Sequence, residues 1–302
     1  MQALTQDNRP IAGVLWMLVS GLSFVGVTGV VRYLGTDLPA AQGAFIRFAF
    51  GLAFLGPALV TALRAGLPAG SLPLFLGRGA LHTVAVILWF YAMARLPIAE
   101  VTAIGYLNPI VVTLGAALFL GERLAARRII AIALALVGAA MVLRPGFREL
   151  ETGHMAQLGA ATCFGLSYLI AKRLSAMAGA GTVVAMMSLT VTLGLAPFAF
   201  AVWVPPSLSQ VAWLGLVAVF ATFGHYAMSR AFAAAPVTVT QPVTFLQLVW
   251  ATLLGTLAFH ESVDPWVLAG GLVIIGAISF ITWRETRLRR QVTPSAEATR
   301  EG

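Results

Sequence analysis

Charge is scarce in this chain. Only 10% of its 302 residues are Asp, Glu, Lys or Arg, against about 25% in a typical soluble domain. So few charges cannot cover the surface of a water-soluble protein of this size. Cysteine is almost absent. The single Cys163 lies inside an apolar run, which excludes a disulfide framework and a cysteine-based metal site. Catalytic signatures are missing as well. There is no HExxH, no GxSxG and no GxxxxGK[ST], so zinc-hydrolase, serine-nucleophile and P-loop chemistry have no footing. The four His are scattered and no carboxylate pair has metal-ligand spacing. No enzyme activity, cofactor or metal is expected.

What the chain has in abundance is apolar surface. Hydrophobic residues make up 59% of it and the mean hydropathy is +0.90, so lipid is its solvent. Ten segments approach the roughly 20 residues that span a bilayer as helix: 11–31, 40–63, 73–94, 98–120, 127–143, 154–171, 183–204, 210–232, 237–259 and 266–283. They are continuously apolar rather than alternating, which argues against a membrane β-barrel. The first follows a short polar stretch with Arg9 and resembles a signal peptide. It is long enough to span, however, and lacks a clear small-residue cleavage site, so it reads as a retained helix.

The net charge of +8 does not indicate nucleic acid, because the basic residues form no single basic face and sit mostly at the ends of apolar runs. That is how topology signals are placed. With the N-terminus inside, Arg9, Arg64, Arg123, Arg127, Arg128, Lys172, Arg173, Arg284, Arg287, Arg289 and Arg290 are cytoplasmic. Arg32, Arg95, Arg144 and Arg148 fall outside, offset by Asp37, Glu149 and Glu151. Both termini are therefore expected in the cytoplasm, with the protein in a bacterial inner membrane.

Internal symmetry is the most informative pattern. Shifted by 139 residues, Tyr91–Glu122 lies over Arg230–Glu261 without a gap. Pro97 meets Pro236, Thr113 meets Thr252 and Glu122 meets Glu261, while Tyr106 over Phe245 and Asn108 over Gln247 are chemically similar. Gly21-Leu22-Ser23-Phe24 resembles Gly165-Leu166-Ser167-Tyr168. Matched Pro and Glu are informative because both are disfavoured in lipid. The fold expected is all-α and integral to the membrane, with ten transmembrane helices as two inverted five-helix repeats. The repeats are 10–143 and 153–283, joined by a loop at 144–152 and flanked by a cytoplasmic start (1–9) and a cytoplasmic basic tail (284–302). Five helices per half is an odd number, so the second half must be inverted, an architecture used by transporters. Glu122 and Glu261 read as structural, bonding the start of the next helix.

Tyr106-Leu-Asn-Pro109, Leu120-Gly-Glu122, Phe245-Leu-Gln247 and Phe259-His-Glu261, set in five-plus-five helices, resemble the drug/metabolite transporter superfamily of EamA type. The resemblance covers about residues 10–283 and is strongest toward bacterial amino-acid exporters, including exporters of aromatic amino acids. It implies a secondary transporter that exports amino acids or related small metabolites by alternating access. A broad drug or metabolite efflux carrier is the alternative. An intramembrane lipid-handling enzyme would need an acid–base or nucleophile set that cannot be assembled here. The chain departs from the family at His260, where Gly is usual, and at Leu248, where the first half has Pro109.

Polar side chains in a membrane should face the interior or a wet cavity. Thr102, Tyr106, Pro109 and Thr113 share one helix face. Gln241, Phe245, Leu248 and Thr252 share the equivalent one, as pocket wall or as ordinary packing. Arg78, His82, Ala85 and Trp89 form a stripe, and His225 with Ser229 another. Substrate contacts are expected from His82, Trp89, Tyr106, Gln241, Phe245 and His225. Asn108, Gln247 and Trp250 are accessory candidates beside Thr102. Arg47 either anchors a carboxylate or snorkels to the surface, the second reading being preferred. Glu100 is read as a helix-dipole cap rather than a proton-coupling group. The partners expected are a small-molecule substrate and the bilayer, with no nucleic acid.

Overall fold

The computed structural model describes residues 10–120, 126–147, 149–175, 177–234, 240 and 243–292. Those residues form twelve helices and no extended strand. They are α1 (Pro10–Leu34), α2 (Ala40–Phe54), α3 (Gly56–Ala65), α4 (Leu72–Met93), α5 (Ile98–Gly105), α6 (Asn108–Leu120), α7 (Ala126–Leu143), α8 (Thr152–Ser175), α9 (Ala180–Ala201), α10 (Leu208–Ala234), α11 (Leu246–Phe259) and α12 (Pro265–Val292). Four of them, α1, α4, α9 and α10, are long and apolar enough to cross a membrane alone, and α2 with α3 makes a fifth if that bent pair is one span. Large apolar side chains such as Leu193, Leu257 and Leu272 stand exposed on the outside of the bundle, the surface expected where lipid is the solvent.

Two of the expected spans are broken. Segment 40–63 divides at Leu55, where α2 and α3 meet at 68°. Pro57 lies in the first turn of α3, and its ring and missing N–H prevent α2 from running on. Segment 98–120 divides at Tyr106-Leu107. Pro109 cannot donate to the Gly105 carbonyl four residues back. With its amide oriented so that the NH2 faces acceptors, Asn108 donates to that carbonyl at 3.3 Å and to Ala161 O at 2.9 Å. The side chain thus repairs the gap that the proline opens. A turn also falls at Phe245, ahead of α11, although Leu248 stands where the first half has Pro109.

The expected end of the last helix also needs correction. Instead of stopping at Trp283, α12 continues to Val292. Arg, Glu and Leu are good helix formers, so the backbone stays helical after hydropathy has fallen. His260 sits at φ 54° in the left-handed region, ending α11. Gly takes that conformation at no cost, which accounts for Gly being usual here; nothing in the backbone explains the His.

Helices α1 and α10 pack together, as do α4 and α8, α7 and α12, and α2 and α9. One buried cluster draws Val27, Ala44, Val86 and Val101 together with Val191, Leu214 and Ala251. The first and second halves of the chain therefore share a core.

Candidate functional site

A cavity of about 370 Å³ lies among α1, α2, α4, α5, α6, α8, α9, α10 and α11. This is within the roughly 300–1,000 Å³ usual for small-molecule sites. Seven aromatic rings line it: Phe24, Phe48, Trp89, Phe90, Tyr106, Phe164 and Tyr168. Phe164 and Tyr168 lie nearly parallel, 6.2 Å apart with an interplanar angle of 14°. They are i, i+4 neighbours on α8, so both rings lie on the same face of that helix. Trp89 meets Phe90 edge to face at 5.3 Å.

The polar groups are few. His82 Nδ1 lies 3.1 Å from Ser167 Oγ, and its ring is held edge-on against Phe164 at 4.9 Å and Phe48 at 6.2 Å. His225 meets Phe24 edge-on at 5.0 Å. Thr102 spends its hydroxyl proton on Ile98 O at 2.8 Å, leaving its oxygen free to accept. Gln157 donates to Val101 O at 3.0 Å, while its Oε1 has no hydrogen-bond partner among the described residues. No Asp or Glu lines the cavity, and Arg47 is its one charged wall residue among those described.

Of the residues singled out in the sequence, His82, Trp89, Tyr106, His225, Thr102, Asn108, Gln247 and Arg47 meet at this cavity. Arg47 turns inward, against the preferred reading that it snorkels outward. Its guanidinium lies 4.0 Å over the Phe48 ring, where stacking favours it. Phe245 stands behind the wall, edge-on to Tyr106 at 5.6 Å. The Tyr106 hydroxyl lies 3.5 Å from the carbonyls of Thr244 and Phe245, at the outer limit of a hydrogen bond. Trp250 is not among the described residues lining the cavity, and its indole N–H has no hydrogen-bond partner among them. Gln241 lies outside the described residues. Arg78 sits just off the wall, donating to Val183 O at 3.2 Å.

Glu100 is neither a simple helix cap nor a cavity group. It is buried and accepts from His154 Nε2 at 2.9 Å. His154 Nδ1 takes the Glu151 N–H at 3.1 Å, which leaves the ring proton on Nε2, facing Glu100. His154 had no sequence signal, since it stands alone at the start of its helix. Gln157, Phe164 and Tyr168 were missed differently: spaced by seven and four, they share a face of α8 that periodicity could have revealed.

One end of the bundle is tied by charge. Arg32 Nε donates to Glu261 Oε1 at 3.0 Å, and Arg32 Nη1 donates to Ala94 O at 3.0 Å. Glu261 Oε2 accepts the Ile98 N–H at 2.9 Å. Arg144 pairs with Asp264 beside it. Glu261 thus bonds the start of α5, in the other half of the chain, rather than the start of the helix that follows it.

The EamA-like transporter family model matches this chain twice, over residues 11–144 and 151–283. The chain is 28% identical to a riboflavin transporter of Vibrio cholerae, over 94% of this chain and 97% of that protein. It is 25% identical to an S-adenosylmethionine uptake transporter of Rickettsia prowazekii, over 91% and 94%, and 27% identical to a pseudopaline exporter of Pseudomonas aeruginosa, over 88% and 94%. A solved crystal structure shares the fold, with a TM-score of 0.56 and 20% identity over 92% of this chain and 96% of that one. The names of these relatives do not single out amino acids as cargo, and both uptake and export occur among them. Apolar helices around a central cavity and a family match across nearly the whole length agree: the chain is a multi-pass membrane metabolite transporter and belongs to the EamA-like transporter family.

Proposed function

We propose that this protein is a secondary carrier for planar aromatic or heteroaromatic metabolites, moving them by alternating access through the central cavity. The observation that carries the reading is the wall of seven rings contributed by both halves of the chain. Flat rings bury a large area against such a wall and gain stacking energy beyond it. Riboflavin and S-adenosylmethionine, the cargo of two relatives by name, both carry a fused nitrogen heterocycle. Aromatic amino acids belong to the same class, so this reading keeps the aromatic part of the expected amino-acid cargo and leaves out the aliphatic part.

The test is uptake and counterflow in proteoliposomes, with riboflavin, the aromatic amino acids and aliphatic controls. Aromatic solutes should exchange faster than in protein-free vesicles, and aliphatic ones should not. His82→Ala removes the Ser167 contact and two ring contacts and should slow exchange about tenfold, the equivalent of one to two hydrogen bonds, with an unchanged size-exclusion profile. Equal rates with and without protein for every aromatic solute would sink the reading.

We also propose ten membrane crossings in two inverted five-helix halves, with both termini cytoplasmic. The 139-residue register, the double family match and the packing all support it. An exchange of halves maps the α1–α10 contact onto α8–α4, maps α6–α8 onto α11–α1, and returns α7–α12 and α2–α9 to themselves, and all of these contacts occur. A phosphatase reporter fused after Trp283 should be silent and one in the 144–152 loop active; the opposite pattern would refute this topology.

A further inference from the structure

We infer that the cargo carries an acidic oxyanion group, carboxylate or phosphate, on its aromatic body, and that Arg47 reads it. The inference rests on the aromatic-carrier reading and adds charge to it. Arg32 pairs with Glu261 and Ala94 O and Arg144 with Asp264, while Arg78 donates to Val183 O although its Nε has no partner among the described residues. Arg47 lies mid-way along α2, lines the cavity and makes no hydrogen bond or ion pair with a described residue. The guanidinium carbon lies 4.0 Å from the Phe48 ring centre, a cation–π contact that consumes none of its N–H donors.

A cation within a membrane bundle is costly unless water, a counter-charge or a ligand meets it. No carboxylate among the described wall residues supplies the counter-charge. Arg78, close enough to interact electrostatically with His82 and Tyr168, adds to the positive potential from behind the wall. The cavity therefore pairs flat aromatic walls with one unmatched, fork-shaped donor group, the geometry that takes an oxyanion through two parallel hydrogen bonds. Cationic aromatics are disfavoured by the same field.

The test is calorimetric binding of four probes to the purified full-length protein in detergent: indole, tryptamine, indole-3-acetate and acetate. Indole-3-acetate should bind about tenfold or more tighter than indole, the range of one charge-assisted contact, and tryptamine more weakly than indole. In Arg47→Met the ratio of indole-3-acetate to indole affinity should fall to near one, while Arg47→Lys should keep part of it. Because the ratio is taken within each variant, general damage to the cavity cancels. The inference is overturned if the wild-type protein binds the three indoles alike or prefers tryptamine, or if Arg47→Met keeps the anion preference. Tight acetate binding without any indole binding would instead overturn the aromatic reading and leave the anion site standing.

Discussion

Replacing Gly270 by leucine is expected to cost the fold about 3 kcal/mol or more, the upper end of overpacking penalties. Helices α7 and α12 are in close contact at Gly138 and Gly270. A Cβ on Gly270 would lie 2.5 Å from Gly138 O, 2.7 Å from Val142 Cγ2 and 3.1 Å from Met141 Cβ. A backbone carbonyl cannot turn aside as a side chain can, so the helices must separate. The loss then spreads to Ala131, Ala135, Ala139 and Ile274, which are buried in the same cluster. Helices in lipid gain little from hydrophobicity and depend on close contact of small residues. Size-exclusion after heating in detergent should show the midpoint for loss of the monodisperse peak falling by about 10 °C. A wild-type midpoint in Gly270→Leu would mean that these helices do not meet there.

The second large effect is expected at Glu261. Its carboxylate ties the end of α1, through Arg32, to the start of α5, through the Ile98 N–H. Side-chain exposure is 10% for Glu261 and 23% for Arg32, so the discount for solvent screening is modest. Glu261→Ala leaves a partly buried guanidinium without its counter-charge and the Ile98 N–H without its acceptor. Removing one partner of such a pair costs about 3–5 kcal/mol. Glu261→Gln keeps an acceptor for Ile98 while losing the charge, and should fall between the two. The same heating assay, run on the three proteins side by side, gives the order. If Glu261→Ala melted with the wild-type protein, the tie would carry no stability and would be a bystander to folding.

How much of this was legible in the sequence differs from residue to residue. Pro109 and Pro57 each announced a break that the span lengths concealed. A run of apolar residues satisfies a span whether or not the helix is continuous, so 40–63 and 98–120 read as single helices. Asn108 was noticed because it matched Gln247 across the repeat. Its bond to the orphaned Gly105 carbonyl required the break to be seen first. The stripe Arg78, His82, Ala85, Trp89 was visible in spacing, yet only two of its four residues, His82 and Trp89, reach the cavity. Phe245 shared a face with the expected pocket and lies one layer behind Tyr106.

Composition alone determined the solvent, because a chain with 10% charge and 59% hydrophobic residues cannot cover itself in water. Periodicity and the 139-residue register determined that helices would form and which residues would share a face, since both follow from local geometry along one chain. Which face meets which neighbour was left to tertiary structure. In a soluble protein hydrophobicity separates inside from outside, but in lipid both sides of a helix are apolar and that signal vanishes. Only packing could decide that Arg47 turns inward over Phe48, that Glu100 meets His154 from another helix, and that Glu261 reaches across to the opposite half of the chain.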